Sequence, residues 1–148
     1  NSVNLLSGKK NSSIRLIDFI PAINIKTQNP KQKILIADDE QTSLLILKTI
    51  LINNGYDVES CINGVEAYEK YLQYSPDLVI TDINMPRSDG SLLCKKIKEL
   101  NSSTPVICYG GDLEKEKLYE HLKQGFNDYF LKGNDTKHLI DLIKFYLG

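Results

Sequence analysis

Three short polar signals carry the chemistry available to this chain. Asp38, Asp39 and Glu40 follow the apolar run Ile34–Ala37, Asp82 follows Leu78–Thr81, and Lys132 follows Tyr129–Leu131. Each has an ordinary reading on its own. Acidic residues suit a helix N-terminus, an aspartate suits a turn, and a lysine suits a solvated surface. Their shared position, each just past an apolar run, points elsewhere. Three aspartates gathered at one place repel one another, and their pKa values rise unless a cation compensates. A hard divalent ion such as Mg²⁺ meets that need, because it takes one or two carboxylates and keeps several waters. A carboxylate nucleophile beside a divalent cation and a lysine is suited to phosphoryl transfer.

The elements between these signals alternate. Ile34–Ala37, Leu78–Thr81 and Val106–Tyr109 are continuous apolar runs, as strands buried on both faces require. Tyr56–Cys61 alternates polar and apolar residues and reads as an edge strand, and Tyr129–Leu131 is the fifth strand. Helical stripes fall over Gln41–Asn53, Val65–Tyr74, Leu92–Leu100, Leu113–Gln124 and from Asp135 or Thr136 to Leu147. Gly125 suits a helix C-cap. Five strand–helix units predict an α/β fold with a parallel sheet covered on both faces. Right-handed crossovers open all strand C-termini on one edge, where such sheets place their ligand chemistry. With strands one and three adjacent, Asp38, Asp39 and Asp82 converge there.

Composition sets the outer bounds. The chain has 148 residues, 25% of them charged and 41% hydrophobic, with a net charge of −1. Bulk charge therefore predicts no affinity for nucleic acid or for an anionic membrane. Residues 1–32 carry five basic residues against Asp18, so this stretch is basic and the remainder acidic. Residues 1–31 read as a linker or docking segment, with apolar residues at 14–25 that suit docking or homodimer formation. Residues 32–148 read as the folded domain. No apolar run approaches the ~20 residues that span a bilayer. Cys61, Cys94 and Cys108 form no CxxC motif, and an odd number suits a reducing, cytoplasmic compartment, with the thiols as small core residues.

The segments KILIADDE, NGVEAYEKYLQYSPDLVITDINMPRSDG and DYFLKG together resemble the receiver domain of two-component response regulators, from about Lys33 to Leu147. The resemblance implies a flavodoxin-like, doubly wound five-stranded sheet of order 2-1-3-4-5 with five helices. It implies that Asp82 accepts a phosphoryl group from a phosphohistidine on a histidine kinase or phosphotransfer domain. It implies Mg²⁺ held by Asp38, Asp39, Asp82 and the backbone carbonyl of Asn84, with Lys132 paired to the phosphoryl oxygens. Met85-Pro86 and Gly90 would shape the loop after the acceptor, and Tyr129 stands where the family carries its switch aromatic.

Two positions depart from that pattern. Gly110, twenty-two residues before Lys132, stands where the family usually has a threonine or serine that reads the phosphoryl group. Gly133 stands where a proline usually braces the lysine loop, so the loop is expected to be looser. Nucleophile, metal site and lysine are intact, so phosphoryl chemistry is expected to persist while coupling to the fourth helix weakens. Two other readings stand beside the phosphoacceptor. One is a phosphorylation-independent interaction module, supported by Gly110. The other is a Mg²⁺-dependent phosphohydrolase, for which the loops look too short. The chain begins at Asn1 and its only methionine is Met85. These suit a fragment or processed piece. The basic, partly polar segment before the domain and the stop at Gly148 suit a receiver at the C-terminal end of a larger protein such as a hybrid histidine kinase, whose parent protein would be membrane-associated, and a trimmed piece of another protein fits equally.

Overall fold

The computed structural model describes residues 30–85, 89–111 and 115–148. The chain divides into two units, Asn1–Lys31 and Gln32–Gly148. The sequence readings for residues 1–29, for Pro86 and for the first turn of the fourth helix, including Leu113, lie outside the described residues.

Among the described residues, five strands alternate with five helices. They are β1 (Lys33–Ala37), α1 (Gln41–Asn53), β2 (Asp57–Cys61), α2 (Gly64–Tyr74) and β3 (Leu78–Thr81). There follow α3 (Gly90–Leu100), β4 (Val106–Gly110), α4 (Lys115–Lys123), β5 (Asp128–Leu131) and α5 (Thr136–Leu147). All strand pairs are parallel and the order is β2-β1-β3-β4-β5, as the sequence implied. β2 is an edge strand, in keeping with its mixed composition. The central strands β1 and β3 have no exposed residue, which explains their unbroken apolar runs.

Strand alternation sorts the core into two layers. Ile34, Ile36, Ile80, Ile107 and Phe130 face α1 and α5, meeting Leu47, Leu51, Leu139 and Ile143. Leu35, Ala37, Val79, Val106 and Cys108 face the other side, meeting Ala67, Tyr71, Leu93, Cys94 and Ile97. The three cysteines are free and buried, as expected of small core residues. Burial pushes the Cys61 and Cys108 thiols up to about 12 and the Cys94 thiol up to about 11. No helix among the described residues is long and apolar enough to cross a membrane.

Local signals set the helix starts. The side chain of Asn63 accepts from the Glu66 N–H, Asp89 from the Leu92 N–H and Asp135 from the Lys137 N–H. The Asp89 cap starts α3 at Gly90, two residues ahead of the sequence reading. β1, β2, β4 and β5 differ from their sequence readings by one residue each. Gly125, expected at a helix C-cap, has φ +117°, and it follows the last turn of α4.

Candidate acidic and lysine site

The strand order reverses between β1 and β3, since β1 has β2 on one side and β3 on the other. The crevice beyond the C-terminal ends of these two strands is where open sheets of this kind bind ligands. The register sets Ala37 beside Thr81, so the residues after them meet. Asp38, Asp39 and Asp82 each bring a carboxylate oxygen within 4.8 Å of the others. Asp38 is 1% exposed and Asp82 9%, whereas Asp39 is open to solvent.

The acidic run is not there to cap α1. Glu40 holds the N-cap position and its side chain makes no capping bond. Instead Asp38 Oδ1 accepts from the Glu40 N–H at 2.9 Å. Asp82 Oδ1 accepts from the Asn84 N–H at 3.1 Å, an Asx-type turn that orients the carboxylate. The turn reading of Asp82 is met, and it is compatible with the site reading. The Asn84 side chain is exposed.

Lys132 closes the group. Its Nζ lies 2.8 Å from Asp38 Oδ2 and 2.9 Å from Asp82 Oδ2, with Glu40 Oε1 at 3.9 Å. Burial pulls the Lys132 ammonium down, but contact with Asp38 and Asp82 outweighs it and holds the lysine above its ordinary value. Asp38 moves the other way from an ordinary carboxylate. Burial pushes it up, and Lys132 and the Glu40 N–H offset this only in part.

Asp38 Oδ2 is buried and accepts no hydrogen bond among the described residues. Its close partner is the Lys132 ammonium, 2.8 Å away. A buried carboxylate oxygen paired with an ammonium, beside two further aspartates, fits an all-oxygen divalent site in which a metal ion would replace that ammonium.

This predicts a specific linkage. Asp38 has a raised folded pKa, so its contribution is favourable below its ordinary value of 3.8. That contribution is lost as pH rises through the folded value, and at pH 7 the ionised group is a cost. Asp38→Asn should raise the Tm of the metal-free chain at pH 7 by about 3–5 °C, the shift from ~1 kcal/mol in a small domain. At pH 3 the gain should vanish, and at pH 7 the substitution should remove most stabilisation by Mg²⁺. Thermal melts at the two pH values check this.

The remaining expected residues fall into place unequally. Gly110 ends β4, paired with Leu131, and its carbonyl accepts from the Lys132 N–H at 2.7 Å. Tyr129 is half-buried on the α2–α3 side of the sheet, in the layer of Cys108. Met85 is buried. Gly133 has φ +92°, and Leu131 C=O accepts from the Asn134 N–H at 3.1 Å. Lys132 thus sits inside a hydrogen-bonded turn whose third residue needs positive φ. Proline, with φ near −65°, cannot occupy that position. Gly133→Pro should therefore cost about 2 kcal/mol or more rather than restore a brace, as a urea melt would show.

Sequence reasoning missed Tyr109, whose ring centroid is 5.3 Å from Lys132 Nζ. Its tie to Lys132 rests on the pairing of β4 with β5, which sets Tyr109 beside Phe130, two residues before Lys132.

A five-stranded parallel α/β sheet with an acidic cluster at the β1–β3 switch point and a lysine after β5 defines a class. The chain belongs to the response regulator receiver domain family, which it matches over residues 34–144. It is 37% identical over 119 residues to the sensor protein EvgS of Escherichia coli O157:H7, covering 77% of this chain and 10% of EvgS. It is 32% identical over 112 residues to the chemotaxis protein CheY of Bacillus subtilis, covering 75% of this chain and 93% of CheY. The chain thus spans a tenth of one relative and nearly all of another. The receiver domain of the Francisella response regulator 1452 superposes with a TM-score of 0.73 at 31% identity, over 78% of this chain and 96% of that one. The fold and the role in two-component signalling expected from the sequence are thereby established.

Proposed function

We propose that this chain takes a phosphoryl group from a phosphohistidine onto Asp82 and serves as a switch or relay. The observation that carries this reading is the lysine bridge. Lys132 Nζ contacts both Asp38 Oδ2 and Asp82 Oδ2, within 2.9 Å, at the switch point of the sheet. A structural ion pair needs one carboxylate, whereas a phosphoryl site needs a second acidic group for a metal and a cation for the incoming oxygens.

In the step proposed, a carboxylate oxygen of Asp82 attacks phosphorus. The P–N bond to the imidazole breaks, and the ring nitrogen keeps the electron pair. The Asn84 N–H orients the carboxylate, and the Lys132 ammonium moves toward the charge arriving on the phosphoryl oxygens. Asp38, Asp39, Asp82 and the carbonyl of Asn84 would hold Mg²⁺, which supplies further positive charge to those oxygens. The donor is a histidine kinase or a phosphotransfer domain, in a cytoplasmic setting. Residues 32–148 form the receiver, and residues 1–31 act as a linker or docking segment. The module reading rests on Gly110 alone and is not favoured, because a lost switch leaves no reason to bury a self-repelling acidic cluster.

A kinase labelled on histidine tests the reading. Label should pass to the chain and be absent from Asp82→Asn. Equal labelling of that variant, or no transfer from any of a panel of kinases, would contradict it.

A further inference from the structure

Parity along β4 and β5 puts Tyr109, Phe130 and Lys132 on the α1–α5 face of the sheet. Cys108 and Tyr129 lie on the opposite face. The register sets Tyr109 directly beside Phe130, and their rings stack at 6.0 Å with an interplanar angle of 2°. Phe130 in turn stacks on His138 at 6.5 Å and 26°. At the other end of the column, Lys132 Nζ lies 5.3 Å from the Tyr109 centroid, within reach of a cation–π attraction. A column of rings therefore runs from the site's ammonium to the first turn of α5. On the opposite face, Gly110 has no side chain with which to reach Tyr129.

We propose that Tyr109 is a positioning residue that holds the Lys132 ammonium at the acceptor, and that its stack on Phe130 and His138 carries movement of that ammonium to the start of α5. The second half rests on the phosphoacceptor reading above. Lys132 now divides itself between Asp38 and Asp82. Charge arriving on Asp82 changes that division, so the ammonium shifts. The ring face follows the cation. Phe130 is 3% exposed and close-packed, so it passes displacement on rather than absorbing it. His138 is exposed, which puts the end of the column on a surface that a partner can read.

The test uses the full chain with Tyr109→Phe, which keeps the ring, and Tyr109→Leu, which removes it. In the unphosphorylated wild type and Tyr109→Phe, the Lys132 ε-methylene protons should show an upfield ring-current shift, lost in Tyr109→Leu. Phosphorylation by acetyl phosphate should stay within about twofold in Tyr109→Phe and slow about fivefold in Tyr109→Leu. On adding beryllofluoride and Mg²⁺, amide shifts at residues 136–141 should persist in Tyr109→Phe and vanish in Tyr109→Leu. Those at Asp82–Asn84 should persist in both.

The proposal is overturned if Tyr109→Leu matches wild type in rate and in its α5 response, or if Tyr109→Phe loses as much as Tyr109→Leu. Failure of the wild type to accept a phosphoryl group from any donor sinks the phosphoacceptor reading and the coupling with it. The methylene shift still decides positioning in that case, and an unshifted wild type overturns it. Should Tyr109→Leu fail to fold, the wild-type shift and the Tyr109→Phe rates still decide.

Discussion

Lys132→Ala is expected to slow phosphorylation of Asp82 by acetyl phosphate about 100- to 1,000-fold, the usual loss when one preorganised charge donor leaves a reacting centre. The same substitution should tighten Mg²⁺ binding. In the free chain Lys132 Nζ is 2.8 Å from Asp38 Oδ2, so the lysine competes with a cation for that oxygen. Its removal leaves Asp38 and Asp82 without their ammonium partner, in a cluster of three carboxylates within 4.8 Å, which raises the attraction of the cluster for a divalent ion. The opposed signs matter. A residue that only held the site together would lose rate and metal affinity in parallel. Calorimetric titration with Mg²⁺ beside phosphorylation kinetics separates the two, and weaker Mg²⁺ binding in Lys132→Ala would refute the proposed role.

Gly90→Ala is expected to be severe although it adds one methyl group. Gly90 begins α3, and its N–H donates to the Ile83 carbonyl at 2.9 Å. A Cβ built there overlaps the carbonyl oxygen of Asp82, and it lies 3.0 Å from the Asp82 carbonyl carbon and 3.1 Å from Ile83 Cα. All three neighbours are backbone atoms, so no flexible side chain can give way. Either α3 lifts from the sheet edge or the acceptor's peptide shifts. We expect a loss of about 3 kcal/mol, near the upper end for overpacking. Phosphorylation of the molecules that remain folded should fall by roughly 100-fold, as misplacement of a reacting group by about 1 Å produces. Circular dichroism melts and rate measurements on the folded fraction test both. A Tm within 1 °C of wild type would show that the contact is easily relieved.

What could be read from the sequence, and what could not, follows from how local each signal is. Ile34–Ala37 and Leu78–Thr81 were legible because a strand covered on both faces must be apolar throughout. Once those strands were placed, Asp38, Asp39, Asp82 and Lys132 had to fall on one edge of the sheet. The sequence places the start of α3 two residues late because its apolar stripe begins at Leu92, while the element begins where Asp89 caps it.

From sequence alone, Gly133 reads as the absence of a brace. Its positive φ is a property of the turn between Leu131 and Asn134, visible only in the backbone. Tyr109 was hidden for a different reason. An aromatic residue in a strand looks like core, and its tie to Lys132 depends on a register of β4 against β5 that no short motif encodes.

The most direct test of the central claim is intact mass after incubation with acetyl phosphate, with and without Mg²⁺, for the wild type and Asp82→Ala. The account predicts one added phosphoryl group on the wild type, only when Mg²⁺ is present, and none on Asp82→Ala. An equal adduct on Asp82→Ala, or one formed as readily without Mg²⁺, would contradict it.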